Sequence, residues 1–400
     1  MIGPVTFGEN YIQLRDFVEL MRKTPNVVFT KYDFLVDSFI PDNQALLEEF
    51  FAICGNSMET LKIWLDEGST MVFDSDYLIR TSFPRLKSLI FLDIRRMPED
   101  GKTFHSYGRH NFFRALFSAS ATLEKLVFHF ADTKAESDYA MESFLQVFTE
   151  SKSLQSLKHL ELDVDVTNDQ LKRLSSLEDL RLTVLCVNFG SSRLSQTAMY
   201  DLLQSQQATL ETFKITDYYK VSDFAVKFPY MENLKCLQLY AWENSGNRLP
   251  ISKFEYNETF PCLEKILLRG WGRRSDWNVF FPRNFSNKSV THLQLPYKFD
   301  DTSLVTTLPN FTNLTCLEVT YSTKSHLVIT HIFGYLTNLR QLVLNVSILL
   351  FPENLDSLLT GFSNVECSTL LQEFEKTQTF QNIPERTNPS IVDMKSNHDR

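Results

Sequence analysis

One short string, L-x-x-L-x-L, recurs along this chain with Leu replaceable by another aliphatic residue, Met or Phe, and it limits the possible folds more than any other feature. The string occurs eleven times: Met58–Ile63, Leu86–Phe91, Leu123–Phe128, Leu157–Leu162, Leu177–Leu182, Leu210–Ile215, Leu234–Leu239, Leu263–Leu268, Val290–Leu295, Leu314–Val319 and Leu339–Leu344. Successive first positions lie 28, 37, 34, 20, 33, 24, 29, 27, 24 and 25 residues apart. One such string carries little information; eleven in series mark a repeat architecture.

The fourth and sixth positions alternate with polar residues, as a short half-buried strand requires. The first position turns inward from the preceding loop. Each unit therefore offers three apolar side chains to one side, too few to fold alone. Stacking places the strands in one parallel sheet and aligns the leucines into a continuous core. Each buried side chain contributes roughly 1.5–3 kcal/mol, against the ordering entropy of its whole repeat, so only the stack is stable. The expected fold is an α/β leucine-rich-repeat solenoid. Its parallel sheet would line a concave face, with helices and irregular crossovers on the convex face.

Parallel strands need crossovers, and the longer spacers carry helical patterns at Arg109–Ser120, Glu136–Ser151 and Thr167–Ser176. Thr167 and Gln170 stand at capping-box spacing. The spacers FPYMENLKCL and LPNFTNLTCL contain Pro or Asn and predict a single helical turn or an extended segment. Ahead of the strings, Asn10–Lys23 and Asp42–Cys54 read as helices, with a degenerate first strand at Val27–Tyr32. Residues 1–56 are thus expected to cap the stack, 57–375 to form about eleven units, and 376–400, polar with Pro384 and Pro389, to form a disordered tail.

A formal net charge of −9 argues against a general nucleic-acid binder and against recruitment to an anionic membrane. No apolar run is long enough to span a bilayer, and the amino terminus lacks the pattern of a signal peptide. Cys54, Cys186, Cys236, Cys262, Cys316 and Cys367 are widely spread with no CxxC pair, which predicts free thiols in a reducing, cytoplasmic or nuclear, compartment. Sequons at Asn257, Asn284, Asn287, Asn310, Asn313 and Asn345 are the one feature of an extracellular recognition protein.

The unit with its helical crossover resembles the ribonuclease-inhibitor-like leucine-rich repeat. The run VTNDQLKRLSSLEDLRL and the irregular spacing resemble the repeat half of the F-box/leucine-rich-repeat family, over roughly Val27–Val365. That resemblance implies a protein partner held on the concave face and docking to SCF ubiquitin-ligase components through an F-box ahead of the repeats. Met1–Asn26 is too short for an F-box and lacks a Leu-Pro-rich opening. Either the chain is the repeat portion of a longer one or the box is absent. Position nine, where many such repeats carry Asn or Cys, holds Asp66, Ile94, Ala131, Asp165, Leu185, Tyr218, Trp242, Trp271, Lys298, Ser322 and Ser347. The turns must satisfy their backbone groups by other means.

On the expected concave face, the fourth and fifth units present His159, Glu161, Asp163, Asp179, Arg181 and Thr183. The candidate partner-binding residues are Tyr240, Trp242, Arg269, Trp271, Arg273, Arg274 and Trp277, because Tyr, Trp and Arg dominate binding hot spots. Trp242 and Trp271, at position nine, either face the partner or fill the core beneath the turn.

No Gly-rich phosphate loop, GxSxG or HExxH occurs. No enzyme activity and no cofactor are expected. His159, Glu161 and Asp163 share a strand face, which is read as a solvated polar face rather than a metal site. His129 and His292 are expected to lie too far along the stack to join them, and Cys236 and Cys316 to lie several strands apart.

Overall fold

The computed structural model describes residues 5–7, 13–35, 44–66, 82–94, 109–129, 134–150, 154–164, 166–189, 195–217, 227–241, 259–269, 281, 288–295, 301–321, 334–346 and 369–372. Two compact units divide the chain, Met1–Leu210 and Glu211–Arg400. The strings produce the α/β leucine-rich-repeat fold expected of them: parallel strands in chain order, with helices between many of them.

The first unit contains β1 (Val5–Phe7), β2 (Lys31–Leu35), β3 (Thr60–Asp66), β4 (Ser88–Ile94), β5 (Lys125–His129), β6 (His159–Asp163) and β7 (Val184–Phe189). Each pairs with the next in parallel. Helices α1 (Leu14–Lys23), α2 (Gln44–Cys54), α3 (Arg109–Ala119), α4 (Lys134–Glu150), α5 (Asn168–Ser175) and α6 (Gln196–Ser205) supply crossovers. The second unit contains β8 (Thr212–Asp217), β9 (Cys236–Ala241), β10 (Lys265–Arg269), β11 (His292–Leu295), β12 (Cys316–Tyr321), β13 (Gln341–Val346) and β14 (Thr369–Gln372), again parallel and in order. Among its described residues, α7 (Asp301–Thr307) runs into a 3₁₀ turn at Leu308–Asn310.

The string positions behave as the alternation demands. First, fourth and sixth positions such as Leu123, Leu126 and Phe128, or Leu234, Leu237 and Leu239, are buried. The first strand expected at Val27–Tyr32 instead runs over Lys31–Leu35 and is the second, after Val5–Phe7, with Tyr32 and Phe34 as its core residues. It therefore carries the string with aromatic residues, as Phe29-x-x-Tyr32-x-Phe34.

Eleven of the chain's 34 phenylalanines join in two chains of ring contacts among the described residues. Phe17, Tyr32, Phe34, Phe50, Phe51 and Phe83 make a chain of ring contacts through the first repeats. Phe91, Phe113, Phe117, Phe128, Phe144 and Phe148 make a second. Phe113 and Phe117, and Phe144 and Phe148, are four residues apart on their helices, so each pair faces the sheet together. Gly55 follows α2 because its N–H closes onto the Phe51 carbonyl at 2.8 Å, where a Cβ would stand 2.5 Å from that oxygen.

Most of the position-nine turns lie outside the described residues, but two hydrogen-bond devices recur where the chain enters its strands. Within each of the two compact units, the second and third residues of a string both donate N–H to one carbonyl, that of the second residue of the string before it. Lys158 and His159 donate to Glu124 in this way, and Thr315 and Cys316 to Thr291. The residue just ahead of the string then reaches back with its side chain. The hydroxyls of Ser57, Thr122, Ser156 and Ser289 donate to the carbonyls of Phe29, Leu86, Leu123 and Leu263. The longer Asn313 and Asn338 donate to Lys288 and Thr312.

The fifth unit departs from its expected register. Its strand is Val184–Phe189, paired His159↔Val184 and Glu161↔Cys186, so its string is Leu182-x-x-Leu185-x-Val187. Leu177–Leu180 forms the turn that in other units runs directly into the string, and Arg181–Leu182 is a two-residue insertion after it. With Leu182 as the first position, the flanking intervals become 25 and 28 residues instead of 20 and 33. The β-branched and aromatic TVLCVNF makes a better strand than LEDLRL with its two acids. The inserted Leu182 N–H would be orphaned, and the buried Gln206 side chain accepts it at 2.9 Å.

The capping box is present as read. The Thr167 hydroxyl accepts from the Gln170 N–H at 3.2 Å, and the Gln170 carboxamide accepts from the Thr167 N–H at 2.9 Å. Thr167→Ala is expected to lower stability by about 0.5–2 kcal/mol in urea unfolding, with Thr167→Ser close to wild type. A full-sized loss in the Ser variant would mean that the methyl group, not the cap, carries the effect.

Candidate functional site

Side chains at the third, fifth and seventh string positions point away from the core and form the sheet face on which a partner would rest. Of the seven candidate residues, Tyr240 and Arg269 are described and are register partners on β9 and β10. Tyr240 is half-buried; Arg269 is exposed, and its Nε donates to Gln294 Oε1 on β11 at 2.8 Å. Trp242, Trp271, Arg273, Arg274 and Trp277 lie outside the described residues, as does the choice between core and partner for the first two. One row of this face runs Cys236, Lys265, His292, Cys316 across β9–β12, so Cys236 and Cys316 are indeed two strands removed from contact. Burial and the Lys265 ammonium hold the His292 imidazolium below its usual range against the opposing pull of Glu264. Burial pushes the Cys236 and Cys316 thiols up, which makes both poor nucleophiles.

In the first unit the face carries an apolar patch that the sequence reading passed over. Trp64 on β3 is part-exposed and pairs in register with Leu92, while Ile90 and Val127 continue the patch onto β4 and β5. Lys62 Nζ sits 4.2 Å from the centre of the Trp64 ring and 3.6 Å from Asp33 Oδ2. An indole held in place by a cation, with aliphatic side chains beside it, is the composition of a hot spot with its polar rim. The signal was available: Trp64 occupies the seventh position of its string, beside the sixth-position Ile63 that faces the core.

Next to this patch is a polar cluster. From its place in another unit, His129 is expected to stand apart from His159, Glu161 and Asp163. In the structure His129 stands directly opposite Asp163 on the neighbouring strand, and its Nδ1 contacts the Asp163 carboxylate. From the other side Asn188 Nδ2 donates to the same carboxylate. Asp163 is only 9% exposed, so the expectation of a solvated strand face fails at this residue. The register of β7 also replaces Asp179, Arg181 and Thr183 on this face by Val184, Cys186 and Asn188. His159 Nε2 lies 3.6 Å from Glu161 Oε2, beyond hydrogen-bonding reach, and is buried without a hydrogen-bond partner. Compared with known proteins, the chain matches no family model and no curated sequence.

Proposed function

We propose that this chain is a protein-binding scaffold whose sheet face recognises substrates for a ubiquitin ligase of the SCF type. The observation that carries the binding half is the Trp64 patch: a part-exposed indole, Ile90 and Leu92 on consecutive strands, rimmed by Lys62 and Asp33. Rigid strands fix these side chains in advance, which cuts the ordering cost of binding. The ligase half rests on the resemblance of the repeats to F-box/leucine-rich-repeat proteins. A cytoplasmic or nuclear setting goes with it. Among the described residues five cysteines stand as thiols, and no helix is long and apolar enough to cross a membrane. The Asn313 amide of one sequon is engaged with Lys288, an arrangement suited to an unmodified side chain. No catalytic or cofactor role is part of this reading.

Capture of the tagged full-length protein from its own cells, read by mass spectrometry, tests it. Recovery of the SCF adaptor and cullin together with a further protein supports both halves; a stoichiometric partner without them leaves a scaffold and removes the ligase. Trp64→Ala is expected to weaken partner capture by roughly 30-fold, the size of a hot-spot loss, with unchanged circular dichroism. Arg273, Arg274 and Trp277 changed together to Ala report on the second unit in the same assay. Full capture by both variants would rule out the proposed surface.

A further inference from the structure

We propose that the first unit holds a zinc-type metal ion between β6 and β7, with His159, Glu161 and Cys186 as ligands. The three donor atoms, an imidazole nitrogen, a carboxylate oxygen and a thiol sulfur, all lie within 4.8 Å of one another. Around one tetrahedral zinc, with bonds about 2.0–2.3 Å long, neighbouring ligand atoms stand roughly 3.3–3.8 Å apart, so the three side chains close by up to about an ångström onto the ion. Two of the ligands, His159 and Glu161, are the first and third residues of β6 and share a face; the third is brought opposite Glu161 by the two-residue insertion ahead of β7. Without that insertion the sulfur would not be in the cluster.

A second observation points to a ligand. His159 Nε2 is buried and has no hydrogen-bond partner, and a polar atom left unsatisfied away from water is destabilising. A coordinated cation removes that cost and brings the nearby Glu161 carboxylate to the same centre. The flanking groups are arranged to hold the cluster rather than to compete for it. The Asp163 carboxylate is already engaged by His129 and Asn188, one from each neighbouring strand.

The donor set selects the ion. A thiolate and an imidazole disfavour calcium and magnesium, which take oxygen ligands, and favour a borderline-soft ion such as zinc. Three protein ligands leave a fourth position for water or for a side chain from outside. Binding displaces the Cys186 thiol proton into solvent, so affinity rises with pH. The site stands on these residues alone, whether or not the chain captures a protein partner.

The test uses the full-length protein stripped with a chelator and then titrated with Zn²⁺, or with Co²⁺ as a coloured substitute. One equivalent of Zn²⁺ is expected to remain through gel filtration, and Co²⁺ is expected to give the absorption of a cobalt–thiolate bond. Cys186→Ser should abolish that absorption, and His159→Gln should weaken Zn²⁺ binding by more than the roughly 10–100-fold typical of losing a mere supporting residue. Cys236→Ser, in the second unit, should change neither. Because Cys186→Ser alters a buried side chain, the wild-type protein is also alkylated with and without Zn²⁺ and mapped by peptide mass spectrometry; the ion should slow modification of Cys186 at least tenfold. Absence of a stoichiometric ion, a cobalt–thiolate band that survives in Cys186→Ser, or unprotected Cys186 would each overturn the site.

Discussion

Phe50→Ala is expected to destabilise the first unit by about 3–5 kcal/mol, the cost of emptying a large aromatic site in a packed core. Phe50 is fully buried on α2, with its ring 6.0 Å from Phe17, 5.2 Å from Tyr32, 5.2 Å from Phe34 and 5.3 Å from Phe51. These four neighbours sit on α1, β2 and α2 itself, so the ring ties the amino-terminal helices to the first strands. Removing it opens a hole that the surrounding rings, already in edge contact with one another, cannot close without losing those contacts. Phe50→Leu should recover roughly half of the loss. Urea unfolding followed at 222 nm measures both. A cost below about 1 kcal/mol for Phe50→Ala would mean that the amino-terminal repeats are not part of the cooperative core.

Most of the fold was legible because its physics is local. A strand of six residues declares itself through its alternation, and the interval between strings declares the crossover. Where reading failed, the residue types were permissive rather than the pattern absent. Tyr32 carries a core position that an aliphatic search skips; its hydroxyl is accommodated by donating to the Phe29 carbonyl at 2.9 Å. The short Ser, Thr and Asn side chains that tie each turn to the one before it sit one residue ahead of the string, where turn composition gives the same residues for other reasons.

The site was less legible because it depends on register across strands. His159, Glu161 and Asp163 were visible as one face of one strand. Their meeting with His129 and Asn188 needed the pairings of β5 and β7 with β6, and Cys186 entered only through the insertion after Leu180. LEDLRL matches the string better letter by letter than LTVLCV does. The competition is settled by strand propensity and by the even spacing of the stack, neither of which a six-residue window contains.

The register of β7 also yields the second large effect. Leu185 is fully buried and pairs with Leu160, so Leu185→Ala is expected to cost about 2–5 kcal/mol. Asp179 is exposed on the preceding turn and accepts one hydrogen bond from Gln155 at 3.1 Å; Asp179→Ala is expected within about 0.5 kcal/mol of wild type. Were Leu177–Leu182 the strand, Leu185 would belong to the turn beyond it and Asp179 to the sheet face, and removing the latter would disturb the carboxylates beside it. The two variants, unfolded in urea side by side, separate the registers. A small loss at Leu185 with a large change at Asp179 would return the strand to LEDLRL, and with it would remove Cys186 from the neighbourhood of Glu161.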